Sequence, residues 1–366
     1  MKYYIIAGEA SGDLHGSNLI KELCKKDPGA LIRCWGGDKM AAAGGVLVKH
    51  YRDLAFMGFA EVIKNLPAIF KNLSFCKKDI SSFQPDVVVL IDYPGFNMRI
   101  AKWAHVNRFK IAWYISPQIW AWKENRVHAI KRDVDKMMVI LPFEKEFYKK
   151  HGVEVDYVGH PLAEVISGWE ATHPSVKKDK TIALLPGSRQ QEIRVKLPIM
   201  LKVAVLFPDH QFIVAKAPGL PENFYEAMLV PYKNVSAVED KTYELLAKAA
   251  AALVTSGTAT LETALFGVPE IICYKGSKIS YEIARRVIKI KFIGLVNLIM
   301  DREVVKELIQ DELNVKNLAE ELARLLTDEG KKAQLRKDYA ELKKLLSAGG
   351  NASANAAAGI IELLNK

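Results

Sequence analysis

The segment Ser256–Pro269, SGTATLETALFGVP, combines residue types and spacing that suit phosphate binding. An apolar run ending at Val254 leads into Thr-Ser-Gly-Thr, and a helix-forming segment follows at once. This order predicts a strand, a tight glycine turn and a helix N-terminus, whose free amides and positive dipole end attract phosphate. Glu262 lies about one helical turn further on, where a carboxylate could reach the two hydroxyls of a ribose. An ordinary strand–helix junction capped by Ser or Thr fits the same residues.

A second loop of this kind is LLPGSR, about 70 residues earlier in the chain. Gly187 lets the backbone approach a ligand closely, Ser188 can donate a hydrogen bond, and the Arg189 guanidinium can form a fork on phosphate oxygens. A turn with a solvated arginine is the alternative. Neither loop is a P-loop, because the G-x-x-x-x-G-K-[ST] pattern is absent from the sequence.

Two segments of the N-terminal half carry polar groups after predicted strands. In GEASGDLHGSNLI, Gly8–Ile20, the glycine spacing differs from the dinucleotide pattern G-x-G-x-x-G, and Ser11 or Asp13 would cap the next helix. Asp92 ends the apolar run VVVLI, at the edge where ligands of parallel sheets bind. A shielded carboxylate there could act as general base on a sugar hydroxyl, or it could simply cap the following loop.

Two further segments combine apolar residues with cations. Aromatic and basic residues alternate in WYISPQIWAWKENRVHAIKR, and they could hold a phosphorylated sugar, lie at a membrane surface or pack in a core; they are Trp113, Trp120, Trp122, Lys123, Arg126, Lys131 and Arg132. The segment 55–73 has an apolar stripe at helical spacing, flanked by lysines. That stripe is either a core-facing helix or a surface for acyl chains and lipid, and the second interpretation assigns membrane contact to Phe59, Ile63, Leu66 and Phe70.

Short apolar runs alternate with helical stretches along the whole chain, and this alternation predicts parallel sheets built from βαβ units. The predicted strands are 3–7, 86–91, 111–115, 136–140, 153–158, 181–185, 211–215, 251–255 and 270–274. Proline, glycine and a charge run make 161–180 the expected boundary, with no continuous secondary structure. We therefore expect two doubly wound Rossmann-like domains facing across a cleft, 1–165 and 175–339, with the C-terminal helix (about 340–366) packed back on the first.

Composition limits the classes of function. The 366 residues carry a formal charge of +10, and 99–150 holds twelve Lys/Arg against five Asp/Glu. This excess suits an anionic membrane or a phosphorylated substrate, and nucleic acid ranks below both because zinc-finger and RNP signatures are lacking. Four scattered cysteines and ungrouped histidines predict reduced thiols and no metal site. No signal peptide or membrane-spanning run is seen, so we expect a cytoplasmic protein.

Nearly the whole chain resembles lipid-A-disaccharide synthase, an inverting glycosyltransferase of the GT-B fold. The resemblance is carried by AGEASGDLHG, IDYPGFN, YISPQIWAWKENRV, LPFEKEFY, VGHPL, LLPGSR, SGTATLE and LVNLI. It implies transfer of 2,3-diacylglucosamine from UDP-2,3-diacylglucosamine to 2,3-diacylglucosamine 1-phosphate (lipid X), giving a β-1,6-linked disaccharide 1-phosphate and UDP in lipid A biosynthesis. It also implies a peripheral protein on the cytoplasmic face of the inner membrane of a Gram-negative cell, with no metal or other cofactor. A homodimer is a possible state.

The resemblance also implies residue roles. Asp92 matches the family's essential aspartate and is the expected general base, and Ser11 and Gly12 match an active-site loop. The donor nucleotide would be held by residues of the second domain. These are Gly187, Ser188, Arg189, Ser256, Gly257, Thr258, Glu262 and Asn297.

The sequence departs from the family pattern at one position, and other interpretations of its motifs stay open. Many members of the family have Asp-Ala-Pro-Asp-Phe where this chain has Asp92-Tyr93-Pro94-Gly95-Phe96, so a role of the second carboxylate cannot apply here. Other interpretations are a different membrane-associated GT-B UDP-sugar glycosyltransferase, a UDP-sugar epimerase, or a non-catalytic protein that binds lipid or nucleic acid.

Overall fold

The computed structural model describes residues 1–54, 66–174, 176–255, 257–277, 281–282 and 291–366. The chain forms two compact units. Unit 1 consists of Met1–Pro161 and Leu346–Lys366, and unit 2 consists of Leu162–Leu345.

Unit 1 is built on a seven-stranded parallel sheet with the strand order β3-β2-β1-β4-β5-β6-β7. Its strands are β1 Lys2–Ala7, β2 Leu31–Gly36, β3 Val46–His50, β4 Val87–Ile91, β5 Lys110–Tyr114, β6 Lys136–Val139 and β7 Asp156–Tyr157. The three central strands, β1, β4 and β5, are almost entirely buried. The sheet therefore lies between two layers, as expected for a parallel sheet.

Helices cover both faces of this sheet. They are α1 Ala10–Lys26, α2 Asp38–Ala42, α3 Leu66–Phe83, α4 Pro94–Val106, α5 Ile119–Trp122, α6 Val127–Asp133, α7 Glu144–Lys150 and, from the C-terminus, α16 Ala352–Leu364; 3₁₀ turns occupy Tyr51–Leu54 and Glu124–Arg126. Alternate residues of β1 enter different cores: Tyr4 and Ile6 pack with α3, α4, α6 and α7, whereas Tyr3 and Ile5 pack with α1, α2 and α16. Unit 1 is thus doubly wound, and its last helix completes one of its two cores.

Unit 2 has a six-stranded parallel sheet with the order β10-β9-β8-β11-β12-β13. Its strands are β8 Thr181–Leu185, β9 Gln211–Ala215, β10 Val235–Val238, β11 Ala251–Thr255, β12 Glu270–Tyr274 and β13 Lys306–Ile309. The helices are α8 Pro161–Thr172, α9 Gln190–Ala204, α10 Glu222–Leu229, α11 Thr242–Lys248, α12 Thr258–Leu265, α13 Leu295–Met300, α14 Val315–Thr327 and α15 Glu329–Ser347, with a 3₁₀ turn at Gln310–Glu312. Helix α8 begins within two residues of the first boundary of unit 2, and helix α15 ends within two residues of its last boundary.

The predicted strands are confirmed, although β7 has only two of the six expected residues. The described residues add four strands: β2, β3, β10 and β13. Three of these lie at sheet edges, where half-exposed strands lack a continuous apolar run. The prediction of an irregular segment from residue 161 onwards is wrong as far as Thr172, because helix α8 begins at Pro161. Proline is well tolerated there, since the first helical amide needs no intrahelical acceptor.

Candidate active site

Asp92 follows β4 directly and lies in a strained turn of unit 1. Asp92 and Tyr93 have φ angles of +42° and +50°, in the left-handed region. The amide of Asp92 donates to the carbonyl of Ile115 at 3.1 Å, which joins the ends of β4 and β5. Asn97 Nδ2 donates to the carbonyl oxygens of Ile91 and Asp92, at 3.2 and 2.8 Å. The turn is therefore held in place by its surroundings, as strained turns at functional sites usually are.

The Asp92 carboxyl has an unusual proton affinity. Burial and, to a smaller extent, the negative charge of Glu9 raise its pKa to about 7, against a hydrogen bond from the Tyr93 amide that lowers it. A carboxylate with a pKa near neutral pH is a stronger proton acceptor than an ordinary aspartate and is still ionised in a large part of the population. The environment of Asp92 therefore suits a general base.

The glycine loop after β1 lies beside the Asp92 turn, because β1 and β4 are neighbours in the sheet. A Cβ on Gly8 would lie 2.3 Å from Cγ of Tyr93, so a larger residue would displace that ring. Ser11 is exposed in the first turn of α1. Gly12 is buried, and a Cβ there would lie 3.0 Å from Cβ of Ala7, so this glycine permits close packing of helix on strand. The sequence motif did not reveal the role of Gly8, which is visible only through its contact with Tyr93.

The expected cap of α1 is wrong. The N-cap residue is Glu9, without a side-chain hydrogen bond, and neither Ser11 nor Asp13 caps the helix. Asp13 is buried and instead accepts hydrogen bonds from the amides of Gly37 and Met40, at 2.7 and 3.0 Å. It therefore holds the N-terminal turn of α2, an interaction 24 to 27 residues away that sequence spacing could not indicate.

The structure sorts the aromatic and basic residues of Trp113–Arg132 by environment. Trp113 lies in the core, whereas Trp122 is half exposed. Trp120 Nε1 donates to Glu144 Oε1 at 3.2 Å, and the Ser116 and Tyr148 hydroxyls are 2.7 Å apart. Hydrogen bonds thus connect the segments SPQIWAW and LPFEKEFY, both of which carry the family resemblance.

Glu144 is the centre of that contact. Its Oε2 accepts from the amides of Ile140 and Leu141, at 3.2 and 2.9 Å. Burial raises its pKa to about 7 in spite of these hydrogen bonds, which lower it. Because its bonds all go to the loops after β5 and β6, we assign Glu144 a structural role in shaping that edge of the sheet.

In unit 2, the loop after β8 places the predicted residues Gly187, Ser188 and Arg189 at the N-terminus of α9. Gly187 has a φ of +123°, which favours glycine, and a Cβ there would lie 2.6 Å from Oε2 of Glu192, so the end of that side chain would have to move. Ser188 and Arg189 are exposed, and Arg189 is the N-cap residue of α9. Its Nη1 lies 3.5 Å from Glu192 Oε1. Arg189 is thus available at a helix N-terminus, restrained by one exposed ion pair of small energy.

Sequence reasoning missed Lys196, which lies further along α9. Its side chain is buried, and Nζ is 3.9 Å from Glu192 Oε2. Burial lowers the pKa of Lys196, the charge of Glu192 opposes this, and Arg189 adds to the lowering. A buried ammonium group next to Arg189 adds positive charge behind the loop. Its four-residue spacing from Glu192 was the only signal in the sequence.

The second predicted loop follows β11. Ser256 lies outside the described residues. Gly257 has a φ of +131° and is the N-cap residue of α12, which begins at Thr258. Gly257 and Thr258 are exposed, and Thr260 Oγ1 donates to the Gly257 carbonyl at 2.8 Å. The predicted strand and helix are present, and the amides of the first helical turn can donate hydrogen bonds to a phosphate.

Glu262 lies one turn into α12, beside Tyr243. Tyr243 in the first turn of α11 donates its hydroxyl to Glu262 Oε1 at 3.0 Å. The Phe266 ring lies 5.2 Å from the Tyr243 ring and 5.3 Å from that of Trp169. Burial raises the pKa of Glu262, and the bond from Tyr243 counteracts this. Tyr243 is a second residue that the motif did not predict, since it comes 19 positions earlier.

The expected contact of Asn297 with the donor is not supported by its surroundings. The side chain is buried, and Nδ2 donates to the Val305 carbonyl at 2.8 Å and to Glu307 Oε1 at 2.9 Å. Its Oδ1 accepts from the amides of Val304 and Val305, at 2.8 and 3.0 Å. All four hydrogen-bonding positions of the amide are used. Asn297 therefore braces the turn before β13.

The apolar stripe is divided by the structure where it is described. Phe59 and Ile63 lie outside the described residues, and Leu66 is the first residue of α3. Leu73 is buried in the core of unit 1, whereas Phe70 is 61% exposed and Phe75 is 46% exposed. Helix α3 thus has a core-facing side and an exposed side with two phenylalanines, and contact of the exposed side with lipid stays a prediction.

Among the residues that the structure describes, no group of three or more His, Cys, Asp or Glu side chains could hold a metal ion. No helix in the same part of the chain is long and apolar enough to cross a membrane.

Comparisons with known proteins cover almost the full length. A family model described as lipid-A-disaccharide synthetase matches residues 3–361. The lipid-A-disaccharide synthase of Geobacter metallireducens is 39% identical, over 99% of this chain and 97% of that protein. Among solved structures, the glycosyltransferase of kitacinnamycin has a TM-score of 0.68 at 14% identity, over 99% of this chain and 98% of that one. A UDP-GlcNAc 2-epimerase from Neisseria meningitidis has a TM-score of 0.59 at 14% identity, with complete coverage of both chains. At such identities the structural likeness shows the fold alone.

Proposed function

This chain belongs to the lipid-A-disaccharide synthase family, and on that premise we propose how its residues divide the work of the reaction. The fold is GT-B, with two parallel-sheet α/β units. The enzyme transfers 2,3-diacylglucosamine from UDP-2,3-diacylglucosamine to lipid X and releases UDP. The observation that carries this conclusion is the family match across residues 3–361.

Asp92 is the general base in this proposal. Inversion at the anomeric carbon requires an acceptor hydroxyl that attacks from the face opposite to UDP, and a base that removes its proton. The support comes from the raised pKa of about 7 and from the position of Asp92 at the carboxyl edge of the sheet. Hydrogen bonds hold the Asp92 turn and so fix the position of the carboxylate. This limits the conformational entropy that is lost when the acceptor binds.

The donor is held by unit 2. Ser188, Arg189 and the N-terminal amides of α12 bind the diphosphate, and Glu262, oriented by Tyr243, binds the ribose hydroxyls. Negative charge grows on UDP as the glycosidic bond breaks. In our proposal no metal or other cofactor takes part, so Arg189, Lys196 and the helix dipole offset that charge. Full activity in excess EDTA is the expected result.

The enzyme works as a peripheral protein on the cytoplasmic face of the inner membrane in this proposal. Both substrates carry acyl chains, so the acceptor lies in a bilayer. Support comes from the exposed face of α3, where Phe70 and Phe75 accompany Lys71 and Lys78. Phenylalanine beside lysine suits the boundary between acyl chains and anionic headgroups.

The test is an incubation of purified protein with UDP-2,3-diacylglucosamine and lipid X in detergent micelles. UDP and disaccharide are followed by mass spectrometry. Disaccharide that forms only with both substrates is the expected result. Turnover of UDP-N-acetylglucosamine without an acceptor would indicate an epimerase, and transfer from that unacylated donor would indicate a different glycosyltransferase.

A further inference from the structure

An exposed tryptophan and three cations form a group in unit 1 to which the reaction described above gives no role. Trp122 ends helix α5 and is 50% exposed. Lys123 Nζ lies 4.1 Å from the centre of the Trp122 ring, and Arg126 Cζ lies 5.8 Å from it. Arg99, on α4, is close enough for its charge to act on Arg126. We call these four residues the Trp122 cluster.

The positive charges of the Trp122 cluster repel one another. Burial lowers the pKa of Lys123, and the charge of Arg126 lowers it further. Burial and the charge of Arg99 lower the pKa of Arg126 in the same way. Such mutual lowering shows that the cations share one region of space, where an anion would relieve their repulsion.

Carboxylates in the described part of the chain leave this charge uncompensated. Within it, no ion pair involves Arg99, Lys123 or Arg126, and the only hydrogen bond from the Arg99 guanidinium goes to the Gly95 carbonyl. Nearby charges behave differently, since Arg132 pairs with Asp133 at 2.6 Å and Glu124 pairs with His151 at 3.0 Å. Unpaired cations grouped against an aromatic face are typical of a site for a multiply charged anion.

The Trp122 cluster belongs to the edge of the sheet that carries Asp92. Arg99 is on the helix that begins two residues after Asp92. Trp122 follows Ile115 by seven residues, and the Ile115 carbonyl accepts the Asp92 amide. Ligands of parallel sheets bind beyond the carboxyl ends of the strands, so one ligand in unit 1 can meet both groups.

We propose that the Trp122 cluster binds the phosphate group of the glycolipid acceptor, and so holds the acceptor while Asp92 receives the proton of its hydroxyl. The inference rests on the proposed function, which supplies a phosphorylated acceptor. A phosphate monoester carries between about one and a half and two negative charges at neutral pH and offers three acceptor oxygens. Two guanidinium groups and an ammonium group match that charge and that number of acceptors. The phosphodiester of a membrane headgroup has the same chemistry with a single charge, so the experiment must separate the two sources.

The experiment compares two acceptors in neutral detergent micelles, lipid X and the same diacylglucosamine without its 1-phosphate. The variants are Lys123→Gln and Arg126→Gln. Lys131→Gln is the matched control, because it removes an equal charge from an exposed position on the next helix. We expect each variant to raise the KM for lipid X about tenfold, the loss of one charge-assisted hydrogen bond. The KM for the UDP donor, the KM for the dephosphorylated acceptor and the melting temperature should stay unchanged, as should every parameter of the control.

Equal KM increases for the two acceptors would overturn the proposal, because a merely structural effect does not distinguish them. Vesicle sedimentation provides the second arm, with phosphatidylglycerol compared with phosphatidylcholine in the absence of substrate. Variants that lose binding to phosphatidylglycerol but keep the wild-type KM in micelles would make the Trp122 cluster a headgroup site and contradict the proposal. If the wild type formed no disaccharide, the proposed function would fail separately, and calorimetric binding of lipid X to wild type and Arg126→Gln would still decide on the cluster.

Discussion

The Tyr243 hydroxyl donates a 3.0 Å hydrogen bond to Oε1 of Glu262, and this bond connects the first turn of α11 to α12. Burial raises the pKa of Glu262, and the bond from Tyr243 favours its charged form. The phenol therefore fixes both the orientation and the ionisation of the carboxylate that we assign to the ribose.

Tyr243→Phe should raise the KM for the UDP donor about three- to tenfold, because it removes one hydrogen bond to a partly buried carboxylate. The KM for lipid X should not change. Steady-state kinetics with each substrate varied in turn measures this, and Tyr232→Phe, elsewhere in unit 2, is the control. A change in the acceptor KM alone would contradict the assignment of Glu262 to the donor.

Arg189→Gln should weaken UDP binding about tenfold or more, because the guanidinium contributes charge-assisted hydrogen bonds to phosphate. Isothermal titration calorimetry with UDP measures the Kd, and the difference should shrink as salt rises. Arg194→Gln removes the same charge from the same helix, where its guanidinium lies 5.6 Å from the Phe224 ring centre, and should bind UDP normally. Equal affinities of Arg189→Gln and wild type would remove Arg189 from the phosphate site.

Asp92→Asn should lower kcat about a hundredfold or more while UDP binding is kept, as expected for loss of a general base. Asparagine tolerates the left-handed φ of +42° better than most residues, so the turn should persist. Turnover above a tenth of the wild-type value in this variant would show that another group takes the proton.

The pH dependence gives an independent test of Asp92. Because the base must be ionised and its pKa is raised to about 7, kcat/KM should rise with pH through about 7 and then level off. The negative charge of Glu9 raises this pKa, so Glu9→Gln should move the inflection to lower pH. Glu9 is exposed, so the movement should be small. An inflection near pH 4 in the wild type would contradict the shielded position of Asp92.

The sequence was sufficient for those parts of the fold and site that depend on local pattern. Buried parallel strands such as β4 and β11 are short apolar runs, and the turn at Gly257 follows from one glycine before a helix former. Contacts between distant segments could not be predicted from the sequence, because no spacing rule connects Asp13 with Gly37 or Tyr243 with Glu262. Asn297 shows the converse: a motif residue of the family has its amide fully used within the fold, which only its four partners reveal.

The buried carboxyl group of Glu270 leads to a prediction about the stability of the protein. It is completely buried at the start of β12, and both carboxylate oxygens are without a partner among the described residues. Burial raises its pKa well above the ordinary value of 4.5. Because the pKa of this carboxyl is higher in the folded state, the free energy of unfolding falls as pH rises above 4.5. It continues to fall until the pH reaches the folded-state pKa.

Glu270→Met should therefore stabilise the protein by about 1 kcal/mol or more near neutral pH, and less at pH 4. Methionine fills a similar volume without a polar group to bury. Differential scanning calorimetry at both pH values measures the melting temperature, with the exposed Glu320→Met as control. A melting temperature below that of the wild type at pH 7 would mean that the Glu270 carboxylate has a partner that stabilises it.

Phe70 and Phe75 should govern membrane affinity, because both are exposed on α3 while Leu73 and Cys76 of the same helix are buried. Replacing the two phenylalanines with serine removes apolar surface that a bilayer would otherwise cover, and the loss should weaken vesicle binding about tenfold or more. Sedimentation with phosphatidylglycerol vesicles measures this. The melting temperature should fall only slightly, because Phe70 is mostly exposed and the half-exposed Phe75 ring loses only its contact with the Trp35 ring, 6.0 Å away. The matched control is Val106→Ser, an exposed apolar residue at the end of α4. A lower melting temperature with unchanged vesicle binding would place both rings in the packing of unit 1 and leave the membrane contact to another surface.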